Sequence, residues 1–182
     1  MGRTISHPQQ YNTKLNNQIN DSGSGENENS LETQKQIEKK ARHYLTFLLA
    51  RRDYSQVEIK RKFYSQGYSS QLCEQLLSEF IDKGYQSDSR FTEVFVRNKI
   101  SRGYGKNKIF AELQAHKISY AEFELCLAEL EVDWFSQLLQ LYEKRYGETG
   151  PDNVKDKQKI SRYLMQKGFN QQEINQLWRE LA

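Results

Sequence analysis

The sequence contains little proline, little cysteine and no long apolar run. Its 182 residues include only two prolines, Pro8 and Pro151. With so few helix breakers and many Leu, Glu, Lys and Gln, the chain is expected to be all-α. No apolar stretch approaches the ~20 residues that a membrane helix needs, and the N-terminus lacks the apolar core of a secretory signal. We therefore expect a cytoplasmic protein that does not enter the membrane.

The few residues capable of site chemistry are scattered. Cys73 and Cys126 lie in apolar helical patterns, so a disulfide is not expected, and the three histidines follow no metal-ligand spacing. There is no GxxxxGK[ST] phosphate loop, and no serine or cysteine stands in a recognisable motif with a histidine and an acid. The sequence therefore predicts no enzyme activity, no metal and no cofactor.

The chain matches itself at a shift of about fifty residues. Ile59 falls on Ile109 at a shift of fifty, and Ile109 falls on Ile160 at fifty-one. No gap is needed across about twenty-seven residues, which is typical of a repeat architecture. Any two amphipathic helices could align by chance, but Gly67 also matches Gly168, and the predicted N-caps match in all three copies. These caps are Ser69, Ser119 and Asn170.

The repeat predicts three tandem units of three short helices each. We place a disordered polar tail at residues 1–34, because this segment is rich in Asn, Gln, Ser and Gly and poor in large aliphatics. Repeat 1 is predicted at 35–86, repeat 2 at 87–131 and repeat 3 at 132–182. Such units cannot bury a core alone, so they are expected to stack into an elongated, curved body.

The most distinctive stretch joins two predicted helices of repeat 2 through a basic turn, Arg102-Gly103-Tyr104-Gly105-Lys106. Asp88 is the predicted N-cap of the first helix, and Gly103 is expected to end it. Tyr104 stands between two glycines, so we expect an accessible ring, although Tyr54 at the matching place in repeat 1 also allows a structural role.

Cations gather around this turn, with no acid between Glu93 and Glu112. Phe110 occupies a position that is polar in the other two repeats. It is therefore predicted either to face solvent as a contact anchor or to pack on a neighbouring unit. The candidate partner-binding residues are Arg52, Arg97, Arg102, Tyr104, Lys106, Lys108 and Phe110.

Charge is distributed unevenly, although the formal net charge is only +3. Residues 51–108 hold twelve Lys or Arg against seven Asp or Glu, whereas residues 109–131 hold one Lys and five Glu. The basic part could face an acidic protein surface or a nucleic-acid backbone, or could be a solvated helix surface.

The chain from Ala41 to Ala182 resembles the RecX family of bacterial recombinase regulators. The resemblance is strongest over Tyr44–Ile59 and Gly84–Leu113, and looser over Lys159–Ile174. Its most specific strings are Arg90-Phe91, Phe95-Val96-Arg97 and Arg102-Gly103-Tyr104-Gly105. At Gln86-Ser87 the chain departs from the Leu-Asp that is usual in the family.

The resemblance implies the tandem three-helix fold and a role in DNA recombination, DNA repair and the SOS response. It also implies a partner, the RecA recombinase filament, bound in its helical groove with mainly inhibitory effect on ATPase, strand-exchange and coprotease activities. We expect a monomer with weak direct DNA binding. The alternative is a helical repeat protein that acts on DNA directly, for which binding to naked single strands would weaken steeply with salt.

Overall fold

The computed structural model describes residues 25–181, and this part of the chain is all-α. Residues 25–37 belong to one compact part of the chain and residues 38–181 to the other. The helices are α1 (Gly25–Leu49), α2 (Gln56–Ser65), α3 (Ser70–Asp82), α4 (Asp88–Ser101), α5 (Lys106–Leu113), α6 (Tyr120–Leu130), α7 (Trp134–Tyr146), α8 (Val154–Lys167) and α9 (Gln171–Glu180). The predicted all-α fold of three tandem three-helix units is confirmed: α1–α3, α4–α6 and α7–α9 form repeats 1, 2 and 3.

Helix α1 begins earlier than expected. It starts at Gly25, so residues 25–34 of the predicted tail are helical. From Leu31 to Lys40 the chain is mostly Glu, Gln, Lys and Leu, which have high helix propensity, whereas the prediction follows from the Asn, Gln, Ser and Gly content of residues 1–34 and their shortage of large aliphatics. Residues 1–24 of the predicted tail lie outside the described residues.

Side-chain caps begin most of the helices where the sequence predicts them. Ser55, Ser119 and Asn170 each form a complete capping box with a glutamate three residues later. Ser69 accepts a hydrogen bond from the Leu72 amide, and Asp133 accepts one from Ser136. These local bonds fix the entry of each helix before any tertiary packing is considered.

The predicted cap at Asp88 is wrong, because Ser87 caps α4 by accepting from the Arg90 amide. The carboxylate of Asp88 is used elsewhere. It accepts hydrogen bonds from the backbone N–H of Gln56 at 2.9 Å and from the amide of Gln86 at 2.8 Å. Asp88 thereby joins the start of α2 in repeat 1 to the start of α4 in repeat 2.

Each repeat has its own apolar core. Ile59, Ile109 and Ile160 occupy equivalent core positions, with 0%, 0% and 6% of their surface exposed. Cys73 lies in the core of repeat 1 and Cys126 in that of repeat 2, and burial raises the pKa of both thiols. Among the described residues, no helix combines the length and apolar character needed to cross a membrane.

The turn after the second helix of each repeat has the same backbone form. The residue that ends it has φ of 80° at Gly67, 62° at Lys117 and 101° at Gly168. In each case the next amide donates back to the carbonyl five residues earlier, as from Ile118 to Leu113. Repeat 2 therefore places a lysine in the left-handed conformation for which the other repeats use glycine.

We expect Ile59→Ala, Ile109→Ala and Ile160→Ala each to lower the free energy of unfolding by about 2–5 kcal/mol, because each removes buried side-chain volume. Chemical denaturation measures the change. Leu125→Ala is the control, since Leu125 is 67% exposed and its truncation should cost less than about 0.5 kcal/mol. Equal effects at Ile109 and Leu125 would contradict the repeat register.

We expect Lys117→Gly to stabilise the protein by up to about 1 kcal/mol. The substitution removes the cost of about 1–2 kcal/mol that a side chain incurs in the left-handed conformation, and the added flexibility of the unfolded chain partly offsets the gain. Lys117→Ala keeps the conformational cost and should give no stabilisation. Thermal melts of the two variants against the parent protein provide the measurement, and equal melting temperatures for both would show that the turn is unstrained.

Candidate partner-binding surface

The basic turn of repeat 2 packs against repeat 3. Gly103, with φ of 72°, follows the end of α4, and a Cβ atom at this position would lie 2.9 Å from Leu141 Cδ1 on α7. A side chain at residue 103 would therefore have an unfavourable backbone conformation and would also require the end of the Leu141 side chain to shift. Both constraints explain a glycine at the first position of the Gly-Tyr-Gly sequence.

Helices α5 and α8 meet head to tail at the second glycine of this turn. The Gly105 amide donates to the Lys167 carbonyl at 2.8 Å, and the Asn107 amide donates to the Gly168 carbonyl at 3.1 Å. Amides at a helix N-terminus and carbonyls at a C-terminus have no partners within their own helices, so each end satisfies the other. The opposite partial charges of the two helix ends add to this attraction.

The corresponding junction between repeats 1 and 2 uses side chains instead. Ser55, at the repeat position of Gly105, places its hydroxyl oxygen 3.0 Å from His116 Nδ1, and His116 stands at the repeat position of Lys167. Arg61 donates to the Ala115 carbonyl at 3.3 Å. The second helices of successive repeats therefore meet in the same way, but only the junction of repeats 2 and 3 brings their backbones into direct contact.

Tyr104 is half-buried at this junction, so its ring is only partly accessible. Lys99 Nζ lies 5.2 Å from its ring centre and Lys167 Nζ lies 4.5 Å from it. Cations at these distances are attracted to the negative face of the ring. Tyr104 thus joins a lysine of α4 to a lysine of α8.

Three of the predicted cations already have acidic partners. Arg52 binds Glu58 at 2.9 Å, and Arg97 binds Glu93 at 3.0 Å. Lys106 binds Glu124 at 2.7 Å, and this hydrogen bond raises the pKa of Lys106 and lowers that of Glu124. Arg52 also lies in repeat 1, away from the turn of repeat 2 in sequence, with its guanidinium carbon 3.6 Å from the ring centre of Tyr54. Arg52 and the residues of the turn thus belong to different repeats.

Arg102 and Lys108 differ from the paired cations. They stand at the repeat positions of Arg52 and Glu58, which bind each other in repeat 1. A lysine at 108 replaces the acid, so the ion pair of repeat 1 cannot form in repeat 2. Both side chains are exposed, and neither forms an ion pair within the part of the chain that the structure describes.

Phe110 packs inside its own repeat and is half-buried, so the expectation that it faces solvent is wrong. Its ring stacks on Phe123 with a centroid separation of 5.5 Å and meets the edge of Tyr120 at 5.0 Å. The matching residues also contact the third helix of their repeats, since Lys60 pairs with Glu74 and Ser161 accepts from Trp178 Nε1. A polar residue at this position therefore indicates a polar contact between helices rather than exposure.

Sequence reasoning missed the cations that repeat 3 contributes. Arg102 lies at a groove of about 540 Å³, together with Lys144, Arg145 and Lys167. Lys144 and Arg145 occupy the last turn of α7, and Lys167 the last turn of α8. Their positions near helix ends are visible in the sequence, but their proximity to Arg102 follows from the stacking of repeats 2 and 3.

The chemistry of this surface is cationic and aromatic. Within the described residues, no group of three or more His, Cys, Asp and Glu side chains is arranged to hold a metal ion. What the surface offers is unpaired positive charge beside half-buried tyrosine rings, which suits binding of an anionic partner.

Two family models match the chain. The second three-helix domain of RecX matches residues 87–122, and the third three-helix domain of RecX matches residues 131–178. These segments contain the basic turn and most of the repeat 3 residues that face it.

Similar proteins carry the name "Regulatory protein RecX". The protein from Mannheimia succiniciproducens is 38% identical over 128 residues, which are 69% of this chain and 84% of that protein. The protein from Pseudomonas putida is 32% identical over 130 residues, covering 71% and 83% of the two chains.

Two crystal structures share the fold. A regulatory protein RecX aligns with a TM-score of 0.66 at 18% identity, covering 79% of this chain and 73% of its own. RecX from Lactobacillus salivarius aligns with a TM-score of 0.64 at 21% identity, covering 79% and 96%.

We expect Gly105→Ala to lower the free energy of unfolding by about 1–3 kcal/mol, as overpacking does. Gly105 has φ of −85°, so alanine suffers no backbone strain there, but its Cβ would lie 2.6 Å from the Gly168 carbonyl carbon. Hydrogen exchange at the Asn107 amide should accelerate because its bond to Gly168 is lost.

Gly67→Ala is the matched control for this junction. A Cβ at residue 67 meets open space, and its φ of 80° imposes only the local conformational cost. Exchange at Asn107 should therefore stay at the parent rate. Unchanged exchange at Asn107 in Gly105→Ala would show that the two helix ends do not depend on close backbone contact.

Proposed function

Because the chain belongs to the RecX family of regulatory proteins, we propose that it binds the RecA recombinase filament in its helical groove and mainly inhibits it. The inhibited activities would be ATP hydrolysis, strand exchange and coprotease action. The observation that carries the proposal is the unpaired pair Arg102 and Lys108, exposed at the junction of the two repeats that match the family models. In repeat 1 the equivalent pair neutralises itself, so repeat 2 has charge available for a partner.

Regulation by binding requires a difference in affinity between filament states. A protein that binds every state of the filament equally shifts no equilibrium, however tightly it binds. We propose that the turn of repeat 2, held rigid by the α5–α8 junction, selects the filament state whose anionic surface lies opposite it. Preorganisation of the turn would reduce the entropy lost on binding.

The proposal also covers the cellular location and the oligomeric state of the protein. Binding to a filament on chromosomal DNA places the protein in the cytoplasm. The proposed active form is a monomer, for which light scattering should give a mass near 21.6 kDa at working concentration. Direct action on DNA is the alternative function, supported by the positive surface between repeats 2 and 3.

We expect the combined variant Arg102→Ala, Lys106→Ala and Lys108→Ala to inhibit RecA ATPase more weakly. Arg102 and Lys108 are exposed and each contributes up to about 1 kcal/mol, whereas Lys106 is half-buried and paired with Glu124 and contributes less. Half-inhibition should therefore require roughly ten times more protein at low salt. Screening should shrink the difference between variant and parent as salt is raised. ATP hydrolysis by RecA on single-stranded DNA, followed over a range of regulator concentrations, is the measurement.

The control removes three cations elsewhere, through Lys39→Ala, Lys40→Ala and Lys155→Ala, all of which are exposed. This variant has the same net charge as the first and should inhibit like the parent protein. Circular dichroism melts of both establish that they are folded. If the two variants inhibit equally, the turn of repeat 2 is not the contact surface, and if the parent protein fails to inhibit RecA, the proposed function is wrong.

A further inference from the structure

The second helices of repeats 1 and 3 differ in what their C-terminal turns contact. At the end of α8, Gly168 is buried, and a Cβ atom there would lie 2.5 Å from the backbone nitrogen of Lys108. At the matching end of α2, Gly67 is exposed, and a Cβ atom there would have no neighbour within 4 Å. The surface that repeat 3 buries against repeat 2 is therefore open on repeat 1.

Two backbone carbonyls at the end of α2 have no hydrogen-bond donors. At the junction of repeats 2 and 3, the matching carbonyls of α8 accept the amides at the start of α5. In repeat 1 these carbonyls belong to Gln66 and Gly67, and none of the described residues donates a hydrogen bond to either oxygen. The end of α2 thus offers the same two acceptors with which α8 holds α5.

Nearby cations do not occupy these carbonyls. Arg61 donates to the Ala115 carbonyl in repeat 2, and Lys62 Nζ lies 5.5 Å from the ring centre of Tyr54. Carbonyls at a helix C-terminus carry partial negative charge, so they would repel an anionic group such as phosphate. The amides at the start of another helix carry partial positive charge and would be attracted.

Tyrosine rings stand beside the free carbonyls. Tyr64 precedes Gly67 by three residues, is 48% exposed and places its hydroxyl 3.4 Å from Ser70 Oγ. The half-buried rings of Tyr44 and Tyr68 lie 6.3 Å apart, measured between their centres. Tyrosine is enriched in protein interfaces because it combines a large apolar face with a hydroxyl that can form hydrogen bonds. This end of repeat 1 therefore suits a protein partner.

We propose that the end of α2 is a second protein-binding surface, which docks the start of a helix of the recombinase as the end of α8 docks the start of α5. The surface comprises Tyr64, Gln66, Gly67 and Tyr68. The partner helix would begin with a small residue, because Gly105 at the start of α5 lies too close to α8 for a side chain. The inference rests on the proposed function for the identity of the partner, and it adds a contact on repeat 1 to that of the turn of repeat 2.

A second copy of this chain fits the end of α2 less well. Its start of α8 would take the part that the start of α5 plays within the chain, but Asp156 stands at the repeat position of Gly105. A carboxylate at this place would repel the free carbonyls of α2. The Asp156 amide is also already bonded to the side chain of Asn153 at 2.9 Å. The charge at the start of α8 therefore favours a different chain as the partner.

Gly67→Lys tests the surface by placing a side chain beside the free carbonyls. The turn accepts this residue, since Lys117 occupies the equivalent place in repeat 2 with φ of 62°. Gly84→Lys is the matched control, because Gly84 has φ of 70°, lies in open space and follows the end of α3. The two variants have the same net charge and a similar backbone cost. Thermal melts verify that both are folded.

Gly67→Lys is expected to raise the concentration of regulator needed for half-inhibition of RecA ATPase by roughly tenfold, the equivalent of two ordinary hydrogen bonds. Gly84→Lys should stay within about twofold of the parent protein. The measurement is ATP hydrolysis by RecA on single-stranded DNA, with full-length regulator at a series of concentrations.

Tyr64→Ala tests the same surface without a change of charge. Removal of the exposed ring should weaken inhibition roughly tenfold, as for an aromatic interface residue. Tyr85→Ala is its control, since Tyr85 is 60% exposed beyond the end of α3 and should leave inhibition within about twofold of the parent. Because no charge is lost, the effect of Tyr64→Ala should persist at high salt, whereas screening removes that of the triple variant in the turn of repeat 2.

Two results would overturn the inference and leave the proposed function standing. Inhibition by Gly67→Lys and Tyr64→Ala at the level of the parent would mean that the end of α2 does not contact the recombinase. A parent mass well above 21.6 kDa in light scattering, restored to the monomer by Gly67→Lys, would assign the surface to a second copy of the chain. Failure of the parent to inhibit RecA would contradict the proposed function, and the inference would be overturned with it.

Discussion

The head-to-tail contact of α5 and α8 is the constraint on which the cationic surface depends. Two amides of one helix start bond two carbonyls of another helix end, and the contact is possible only where Gly105 and Gly168 bring the backbones together. The same approach fixes the turn of repeat 2 and places Arg102 opposite α7 and α8. The turn between α4 and α5 is therefore held by hydrogen bonds to repeat 3 as well as by its own repeat.

Repeats 1 and 2 share the same backbone arrangement but differ in the charges at one pair of surface positions. In repeat 1, Arg52 forms an ion pair with Glu58. Burial raises the pKa of the Glu58 carboxyl, but the hydrogen bonds from Arg52 and from the Ser55 amide outweigh this effect and lower the pKa. Repeat 2 keeps the arginine and replaces the glutamate with Lys108. The core isoleucines are equivalent in the three repeats, so this difference between repeats 1 and 2 lies at the surface and not in the core.

Most of the fold could be predicted because its signals are local. Caps such as Ser119, and core positions such as Ile109, follow from residues a few places apart in sequence. The early start of α1 is not predictable in this way, because helix propensity without apolar periodicity does not distinguish a helix from a disordered segment. Asp88 was misassigned because its carboxylate binds Gln56, thirty-two residues away, and no local pattern reveals that bond.

The candidate site was less predictable because it is built between repeats. The cations of the basic turn can be read from the sequence, but the exposure of each side chain cannot. Phe110, for example, packs against Phe123 on α6. In the sequence, Lys144 and Arg145 look like ordinary cations in the last turn of a helix. Their position beside Arg102 follows from the packing of α7 against the turn of repeat 2. Sequence position within a repeat predicts burial well, whereas contacts across repeats require the structure.

Each of the first two repeats has one buried cysteine whose alkylation can report the opening of that repeat's core. Cys73 and Cys126 are both buried, lie in different cores and have raised pKa values, so neither thiol is reactive while its repeat is closed. Alkylation therefore follows the opening of the surrounding core rather than surface chemistry. Pulsed labelling resolved by mass spectrometry would reveal whether repeats 1 and 2 open together or in sequence, without introducing any foreign probe.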